Sequence, residues 1–217
     1  FTSGIKVSEL DNIYVITDKG NIYLLSMLNI PVTNRTNIAK TATENIFKKN
    51  SEKIMIAIHD NRSIDNEECY LTTVTRFGRI QRTNVKFLKK LKPYSKDSDP
   101  AGIKLMTLND GDSIVSAFFS NGNDNQDIII CTQKGKGICF SESAIRETGK
   151  NTKGISAINL SENDVCIGAA IAKHDGYLFT ITKSGYGKCT SVINPGCWGG
   201  PQNVQNRGGR GKKAHNL

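Results

Sequence analysis

The segment IIICTQKGKGICF, residues 128–140, contains the pattern that indicates the fold class most clearly. An apolar, β-branched run leads to Thr132, and Gly135 follows after two intervening residues. Glycine adopts a positive φ at little steric cost, and β-branched side chains suit a pleated strand. The segment therefore predicts two antiparallel strands joined by a tight turn at the glycine.

This hairpin pattern occurs four times along the chain. The other copies are IYVITDKGNIYLL from Ile13, LTTVTRFGRIQRT from Leu71 and LFTITKSGYGKCT from Leu178. Their Thr-x-x-Gly motifs are spaced 58, 57 and 50 residues apart. Repeated units of this size, with about four strands each, are typical of propeller blades.

A second repeated element lies between the hairpins. GIKLMTLNDGDSIVSA from Gly102 and GISAINLSENDVCIGA from Gly154 align without a gap and share a Leu, an Asp and an Ala. Alternating apolar positions around the Leu-x-x-x-Asp turn predict two short strands. Gly211 and Leu217 have the same six-residue spacing as Gly102 and Leu108 and as Gly154 and Leu160. We therefore expect QNRGGRGKK, residues 205–213, to lead into the next repeated strand rather than to form a free tail.

The sequence as a whole predicts one all-β domain over residues 1–217. NVKFLKKLKPY, residues 84–94, has two interpretations, one or two amphipathic turns or a loop, and because Pro93 would stop a helix there we predict a loop. Because the chain begins with Phe1 and ends inside a repeat, we expect it to be a fragment of a longer protein. The predicted units cover residues 11–58, 69–119, 127–171 and 176–217.

Basic residues are unevenly distributed. The formal net charge is +9, and residues 176–217 contain six Lys or Arg and no Asp or Glu. A one-sided positive patch of this kind is typical of a protein that binds a polyanion. The alternative interpretation is a solvated cationic tail, which the place of residues 205–213 in the repeat argues against.

Catalytic and metal-binding patterns are missing from the sequence. Residues around Gly211 and Lys212 fail the P-loop pattern at both ends, and no G-x-S-x-G or H-E-x-x-H segment occurs. The six cysteines form no C-x-x-C pair and several lie in apolar runs, which favours free thiols in a reducing compartment. No apolar run is long enough to span a bilayer. We therefore expect no catalytic residue, no metal and no cofactor in this domain, and no association with a membrane.

Residues 205–213 are the candidate binding segment. Its glycines are expected to leave backbone N–H groups open to phosphate. Arg207 and Arg210 are expected to grip phosphate oxygens with two-pronged hydrogen bonds, while Lys212 and Lys213 add charge. Nothing in the segment is suited to reading a base edge, so binding is predicted to be independent of sequence and sensitive to salt.

These segments resemble the C-terminal domain of the DNA gyrase A protein, or of its topoisomerase IV counterpart, over almost the whole chain. GISAINLSENDVCIGA and ITKSGYGKCT are similar to the family's repeat, and FSESAIRETGKNTKG (residues 140–154) and NIPVTNRT (residues 29–36) are similar to its linking segments. QNRGGRG is similar to the gyrase A box, Gln-Arg-Arg-Gly-Gly-Lys/Arg-Gly, and departs from it at Asn206. The family's principal box lies in the first blade, whereas this copy follows the fourth hairpin, so we expect the principal box to lie outside the fragment. The Gly/Pro-rich segment of residues 194–204 is longer than the corresponding segment implied by the resemblance, and no role is assigned to Trp198.

The resemblance implies a β-pinwheel, a propeller-like ring in which neighbouring blades exchange strands. It implies that double-stranded DNA bends around a basic rim and that this wrapping supports ATP-dependent negative supercoiling. It places the catalytic tyrosine, ATP and Mg²⁺ elsewhere in an A2B2 holoenzyme of the bacterial cytoplasm, at the nucleoid. The abundance of Asn and Lys indicates an AT-rich genome, which is that of a bacterium or of a plastid-like organelle. The nearly intact box favours gyrase over topoisomerase IV, and a propeller that scaffolds protein partners is the alternative from another class. The predicted DNA-binding residues are Gln205, Arg207, Gly208, Gly209, Arg210, Gly211, Lys212, Lys213, Lys183, Lys188, Arg79, Arg82, Lys134, Lys136, Lys150, Lys153, Arg35 and Lys19.

Overall fold

The computed structural model describes residues 4–30, 52–59, 69–94, 101–121, 126–172, 176–192 and 205–213. Three short 3-10 helices lie in these ranges, at Met27–Asn29, Val85–Lys90 and Glu142–Ala144. The strands, in chain order, are β1 (Asn12–Thr17), β2 (Asn21–Ser26), β3 (Ile54–His59), β4 (Tyr70–Thr75), β5 (Arg79–Asn84), β6 (Pro93–Tyr94), β7 (Ile103–Lys104), β8 (Ile114–Ser120), β9 (Asp127–Thr132), β10 (Lys136–Ser141), β11 (Ile155–Ser156), β12 (Cys166–Ala172), β13 (Tyr177–Ile181), β14 (Gly187–Ser191) and β15 (Lys212–Lys213).

Three sheets share one arrangement, and each is built on one of the predicted hairpins. The first has the order β3-β1-β2, with β7 and the short parallel strand β6 both paired to β2. The second has the order β8-β4-β5-β11, and the third β12-β9-β10-β15. In the fourth, the described residues contribute the hairpin β13-β14. The prediction of an all-β chain with four hairpins is confirmed.

Each Thr-x-x-Gly motif closes its turn with the same two hydrogen bonds. In the third hairpin the Gly135 N–H donates to the Thr132 carbonyl at 3.1 Å, and the Lys136 N–H donates to Thr132 Oγ1 at 3.2 Å. The four turn glycines have φ between 72° and 88°, a region of backbone conformation that residues with a Cβ atom rarely adopt. The hydroxyl and the positive φ together fix the turn, which is why both residues recur.

The Asp of the second repeated element accepts hydrogen bonds from a hairpin turn. Asp164 accepts a hydrogen bond from Thr132 Oγ1 at 2.8 Å through Oδ2 and one from the Lys134 N–H at 2.9 Å through Oδ1. Glu52 accepts from Thr17 Oγ1 in the first sheet at 2.7 Å. These hydrogen bonds tie each hairpin turn to a segment more than thirty residues away in the chain.

Short strands after each repeated glycine pair with the hairpin of the preceding unit and not with the hairpin directly before them in the chain. The N–H groups of Leu105 and Met106 both donate to the Gly20 carbonyl in the first sheet. One repeat later, Ala157 and Ile158 donate to the Gly78 carbonyl in the second sheet, and β15 pairs with β10 in the third. Neighbouring units are therefore tied together by exchanged strands.

The apolar core lies between neighbouring sheets. One cluster joins the first and second sheets and includes Ile16, Leu71 and Leu105, all fully buried. A second cluster joins the second and third sheets and includes Ile80 and Phe140. The three sheets are therefore packed in chain order, the first against the second and the second against the third.

The prediction of a loop at residues 84–94 was wrong for its middle part. Residues Val85–Lys90 form a 3-10 helix, whose first turn is capped by the Asn84 side chain accepting from the Lys86 N–H at 2.9 Å. Phe87 and Leu88 are buried in the core between the first two sheets. Burial of these two side chains stabilises a helical turn that a pattern so short does not reveal.

Candidate nucleic-acid interface

Residues 205–211, here called the box loop, are joined by backbone hydrogen bonds to the second and third units. The Gln205 N–H donates to the Cys139 carbonyl of β10 at 2.9 Å. The Gly208 N–H donates to the Ala157 carbonyl at 2.8 Å, just beyond β11. The loop therefore fastens the exchanged segment of the second sheet to the third sheet.

The glycines of the box loop serve its packing. The Gly209 N–H donates to the Asn206 carbonyl at 3.1 Å, and the Gly208 N–H is also used internally, so the expectation that both are open to phosphate was wrong. Gly208 has φ 83°, and a Cβ on Gly211 would lie 2.8 Å from the Gly137 carbonyl oxygen. These two positions require glycine for conformation and for close approach of two backbones.

Arg207 uses its guanidinium group within the protein. Nε donates to the Ala144 carbonyl at 3.0 Å, and Nη1 donates to the Ser156 carbonyl. The two acceptors belong to different units, so the side chain bridges the junction between them. Nη2 is the one guanidinium nitrogen of Arg207 with no partner among the described residues, so a two-pronged grip on phosphate that uses Nε would require the bond to Ala144 to break.

Arg210, Lys212 and Lys213 are exposed. Within the described ranges their side chains have no hydrogen-bond or ion-pair partner. Lys213 lies directly opposite Lys136 in the pairing of β15 with β10. Like charges at such a position repel each other, and a bound polyanion would relieve this repulsion. These four residues form what we call the cationic edge.

Two of the predicted DNA-binding arginines are occupied by internal contacts. Arg79 donates from Nε to the Lys153 carbonyl and from Nη2 to the Gly154 carbonyl, each at 2.6 Å. Arg82 is paired with the buried Glu142, with Nη1 and Oε1 3.8 Å apart, and its side chain is only 12% exposed. Its guanidinium also lies 4.7 Å from the centre of the Tyr70 ring. We therefore leave both arginines out of the candidate surface.

The remaining predicted lysines lie at the surface. Lys134 is exposed and donates from Nζ to the Glu162 carbonyl at 2.6 Å. The other exposed lysines of the prediction are Lys19, Lys150, Lys153, Lys183 and Lys188. Arg35 and residues 194–204, including Trp198, lie outside the described residues.

The sequence interpretation missed one exposed arginine, Arg76. It lies at the second hairpin turn, directly after the turn threonine, where Lys183 lies in the fourth hairpin. This shared position was the signal in the sequence that would have identified Arg76.

The described cysteines are free thiols. Burial raises the pKa of Cys131 to about 11 and the pKa values of Cys139 and Cys166 to about 12. Such thiols stay protonated at neutral pH and behave as small apolar side chains. In the described part of the chain no group of three or more His, Cys, Asp or Glu side chains is arranged to hold a metal ion. None of the helices described there has the length and apolar character needed to cross a bilayer.

Comparison with known proteins connects this architecture to one family. The chain matches the model described as DNA gyrase C-terminal domain, beta-propeller, over residues 11–45, 99–121, 126–173 and 176–192, more than half of its length. The DNA gyrase A protein of Kosmotoga olearia is 32% identical over 198 residues, which cover 88% of this chain and 23% of that protein. The chain thus spans about a fifth of the length of the curated relatives that it matches.

Two solved structures share the fold. A DNA gyrase A C-terminal domain matches with a TM-score of 0.73 and 24% identity, covering 95% of this chain and 60% of that one. The C-terminal domain of DNA topoisomerase IV matches with a TM-score of 0.72 and 21% identity, covering 95% of this chain and 59% of that one. With the exchanged strands described above, these matches confirm the predicted β-pinwheel. The chain belongs to the family of DNA gyrase A C-terminal domains.

Proposed function

We propose that this chain, as a single domain, binds double-stranded DNA and wraps it, and that it does so as part of a gyrase A protein. The observation that carries the proposal is the cationic edge, formed by Lys136, Arg210, Lys212 and Lys213 on and beside a paired strand edge. Three of these side chains have no described partner, and the fourth reaches only Ser161 Oγ, at 3.5 Å. Unpaired cations held close together on a rigid sheet attract an anion strongly.

Phosphate groups are the part of DNA that this surface suits. Lysine and arginine side chains neutralise phosphates and release counterions, which gives affinity without selecting a sequence. Because equivalent loops recur in successive sheets, a duplex that follows the edge meets one cationic site after another. Smooth bending of a duplex costs several kcal/mol, which a long series of such contacts offsets.

The chemistry of strand passage belongs to other parts of the assembly in this proposal. The domain contributes no catalytic residue and needs no cofactor of its own. The remainder of the gyrase A protein, together with gyrase B in an A2B2 enzyme of the bacterial cytoplasm, supplies the catalytic tyrosine, the ATP site and Mg²⁺. DNA wrapped on this domain then supports ATP-dependent negative supercoiling.

A salt titration of duplex binding tests the proposal. Each phosphate contact contributes about −0.9 to the slope of log K against log salt concentration, so R210Q/K212Q/K213Q is expected to flatten the slope by about 2.7. The matched control R210K/K212R/K213R keeps every charge and should keep the slope. If the wild-type chain binds duplex without salt dependence, or the neutral variant keeps the full slope, the cationic edge is not the binding surface.

Bending and supercoiling separate the alternatives. A wrapping domain should bend duplexes longer than about 100 base pairs, whereas a scaffold for protein partners should leave them straight. The match to topoisomerase IV favours a second candidate, the equivalent domain of that enzyme. Negative supercoiling by the full-length gyrase A protein with gyrase B supports gyrase, and decatenation without supercoiling supports topoisomerase IV.

A further inference from the structure

We propose that residues 148–154, with the sequence TGKNTKG, form a second phosphate-binding loop on the same duplex path. This segment, here called the lysine loop, lies one repeat before the box loop and contains no arginine. The inference rests on the proposed function and extends it to a site that the box motif does not mark.

The two loops begin from equivalent backbone positions. The Thr148 N–H donates to the Arg82 carbonyl at 2.9 Å, and the Gln205 N–H donates to the Cys139 carbonyl at 2.9 Å. Arg82 and Cys139 each stand four residues after the turn glycine of their hairpin. The lysine loop therefore meets the second hairpin where the box loop meets the third.

The middles of the loops are anchored in the same way. The Asn151 N–H donates to the Leu105 carbonyl at 2.9 Å, as the Gly208 N–H donates to the Ala157 carbonyl at 2.8 Å. Leu105 and Ala157 are themselves equivalent, because each donates its N–H to the carbonyl of a turn glycine.

A return hydrogen bond completes the equivalence. The Thr107 N–H donates to the Thr152 carbonyl at 2.9 Å, and the Asn159 N–H donates to the Gly209 carbonyl at 2.8 Å. The three matched pairs of hydrogen bonds fix the same loop path in both repeats.

Positive φ angles occur at the same two places. Asn151 has φ 62° where Gly208 has 83°, and Gly154 has φ 64° where Gly211 has 69°. Asparagine is one of the few residues with a side chain that adopts this region readily. The loop thus keeps the backbone of the box without the glycine pair that makes the box recognisable in the sequence.

The charges of the lysine loop face solvent. Lys150 and Lys153 occupy the positions of Arg207 and Arg210, both are exposed, and neither side chain has a partner in the described ranges. Unlike Arg207, Lys150 has no bond from its side chain to any of the described residues. Both lysines of the loop are therefore available to phosphate.

The neighbouring charges leave this surface positive. Arg146 and Glu147, both exposed, precede the loop and offset each other. Arg79 braces the loop through its two 2.6 Å hydrogen bonds to the carbonyls of Lys153 and Gly154. A braced loop needs little ordering when an anion binds, which favours affinity.

A charge-matched pair of variants of the full chain tests this site by salt titration. K150Q/K153Q is expected to flatten the slope of log K against log salt concentration by about 1.8, and K150R/K153R to keep it. Combining K150Q/K153Q with R210Q/K212Q/K213Q should add the two losses, because both loops meet one duplex. Thermal melting of each variant should match the wild type, since both lysines are exposed.

The outcomes distinguish this inference from the proposed function. If R210Q/K212Q/K213Q flattens the slope and K150Q/K153Q leaves it unchanged, the lysine loop does not bind phosphate and the proposed function stands. Equal weakening by K150Q/K153Q and K150R/K153R would also overturn the inference, because charge would then not be the cause. If the wild-type chain shows no salt-dependent duplex binding, the proposed function itself fails.

Discussion

Replacing Arg207 by lysine is expected to weaken the junction between the second and third units while leaving the charge of the box loop unchanged. Arg207 donates from two nitrogens to the carbonyls of Ala144 and Ser156. A lysine ammonium is a single point donor and reaches at most one of these two acceptors in the same geometry. Arg207→Lys therefore separates bracing from electrostatic attraction.

The magnitude follows from the lost hydrogen bond. Bonds to charged groups contribute about 1.5–3 kcal/mol when buried, and the partial exposure of Arg207 lowers the expected loss to about 1–2 kcal/mol. For a domain of this size a loss of that order lowers the melting temperature by about 2–8 °C. Arg210→Lys is the matched control and should melt like the wild type, because the Arg210 side chain has no described partner.

Thermal unfolding and a salt titration of duplex binding measure the two effects separately. For Arg207→Lys we expect a lower melting temperature, weaker binding from a loosened loop and an unchanged salt slope. The bracing role is refuted if Arg207→Lys melts like the wild type while Arg207→Gln flattens the slope by about 0.9, the value of one phosphate contact.

Three further predictions concern the hairpins and the thiols. Gly78→Ala should lower the free energy of unfolding by about 3 kcal/mol, because it combines a positive φ with a Cβ placed 2.9 Å from the Ile158 carbonyl oxygen. A Cβ at Gly185 meets no atom of the described residues within 4 Å, so Gly185→Ala should cost only about 1 kcal/mol, and equal losses in urea denaturation would contradict the packing argument. Among the described cysteines, the exposed Cys189 should react first with a thiol reagent at pH 8, and rapid labelling of buried Cys139 in the folded chain would contradict its burial. Burial raises the pKa of Cys139 from 9.0 to about 12, so this thiol ionises at lower pH in the unfolded chain than in the folded chain. The free energy of unfolding should therefore fall as the pH rises from about 9 to 12.

The hairpins and their repetition could be predicted because their causes are local. The turn at Gly135 depends on the glycine and on a threonine three residues before it, so a short pattern contains the whole cause. The short strands after the repeated glycines were predicted from the constant spacing from glycine to leucine, whereas their exchange between units was implied only by the family resemblance. The 3-10 helix at Val85–Lys90 was missed, because Phe87 and Leu88 are stabilised by a core assembled from two sheets.

The all-β repeat, the position of the box within it and the excess of positive charge near one end could all be derived from the order of the residues. Which cations face solvent depends on how the chain packs in three dimensions. Arg207 and Arg210 are equivalent by composition, but Arg207 meets carbonyls 51 and 63 residues away in the chain, whereas Arg210 meets none in the described ranges. The lysine loop likewise became visible only through hydrogen bonds to Leu105 and Thr107, more than forty residues away. Such contacts depend on how distant segments pack, and no local pattern encodes that.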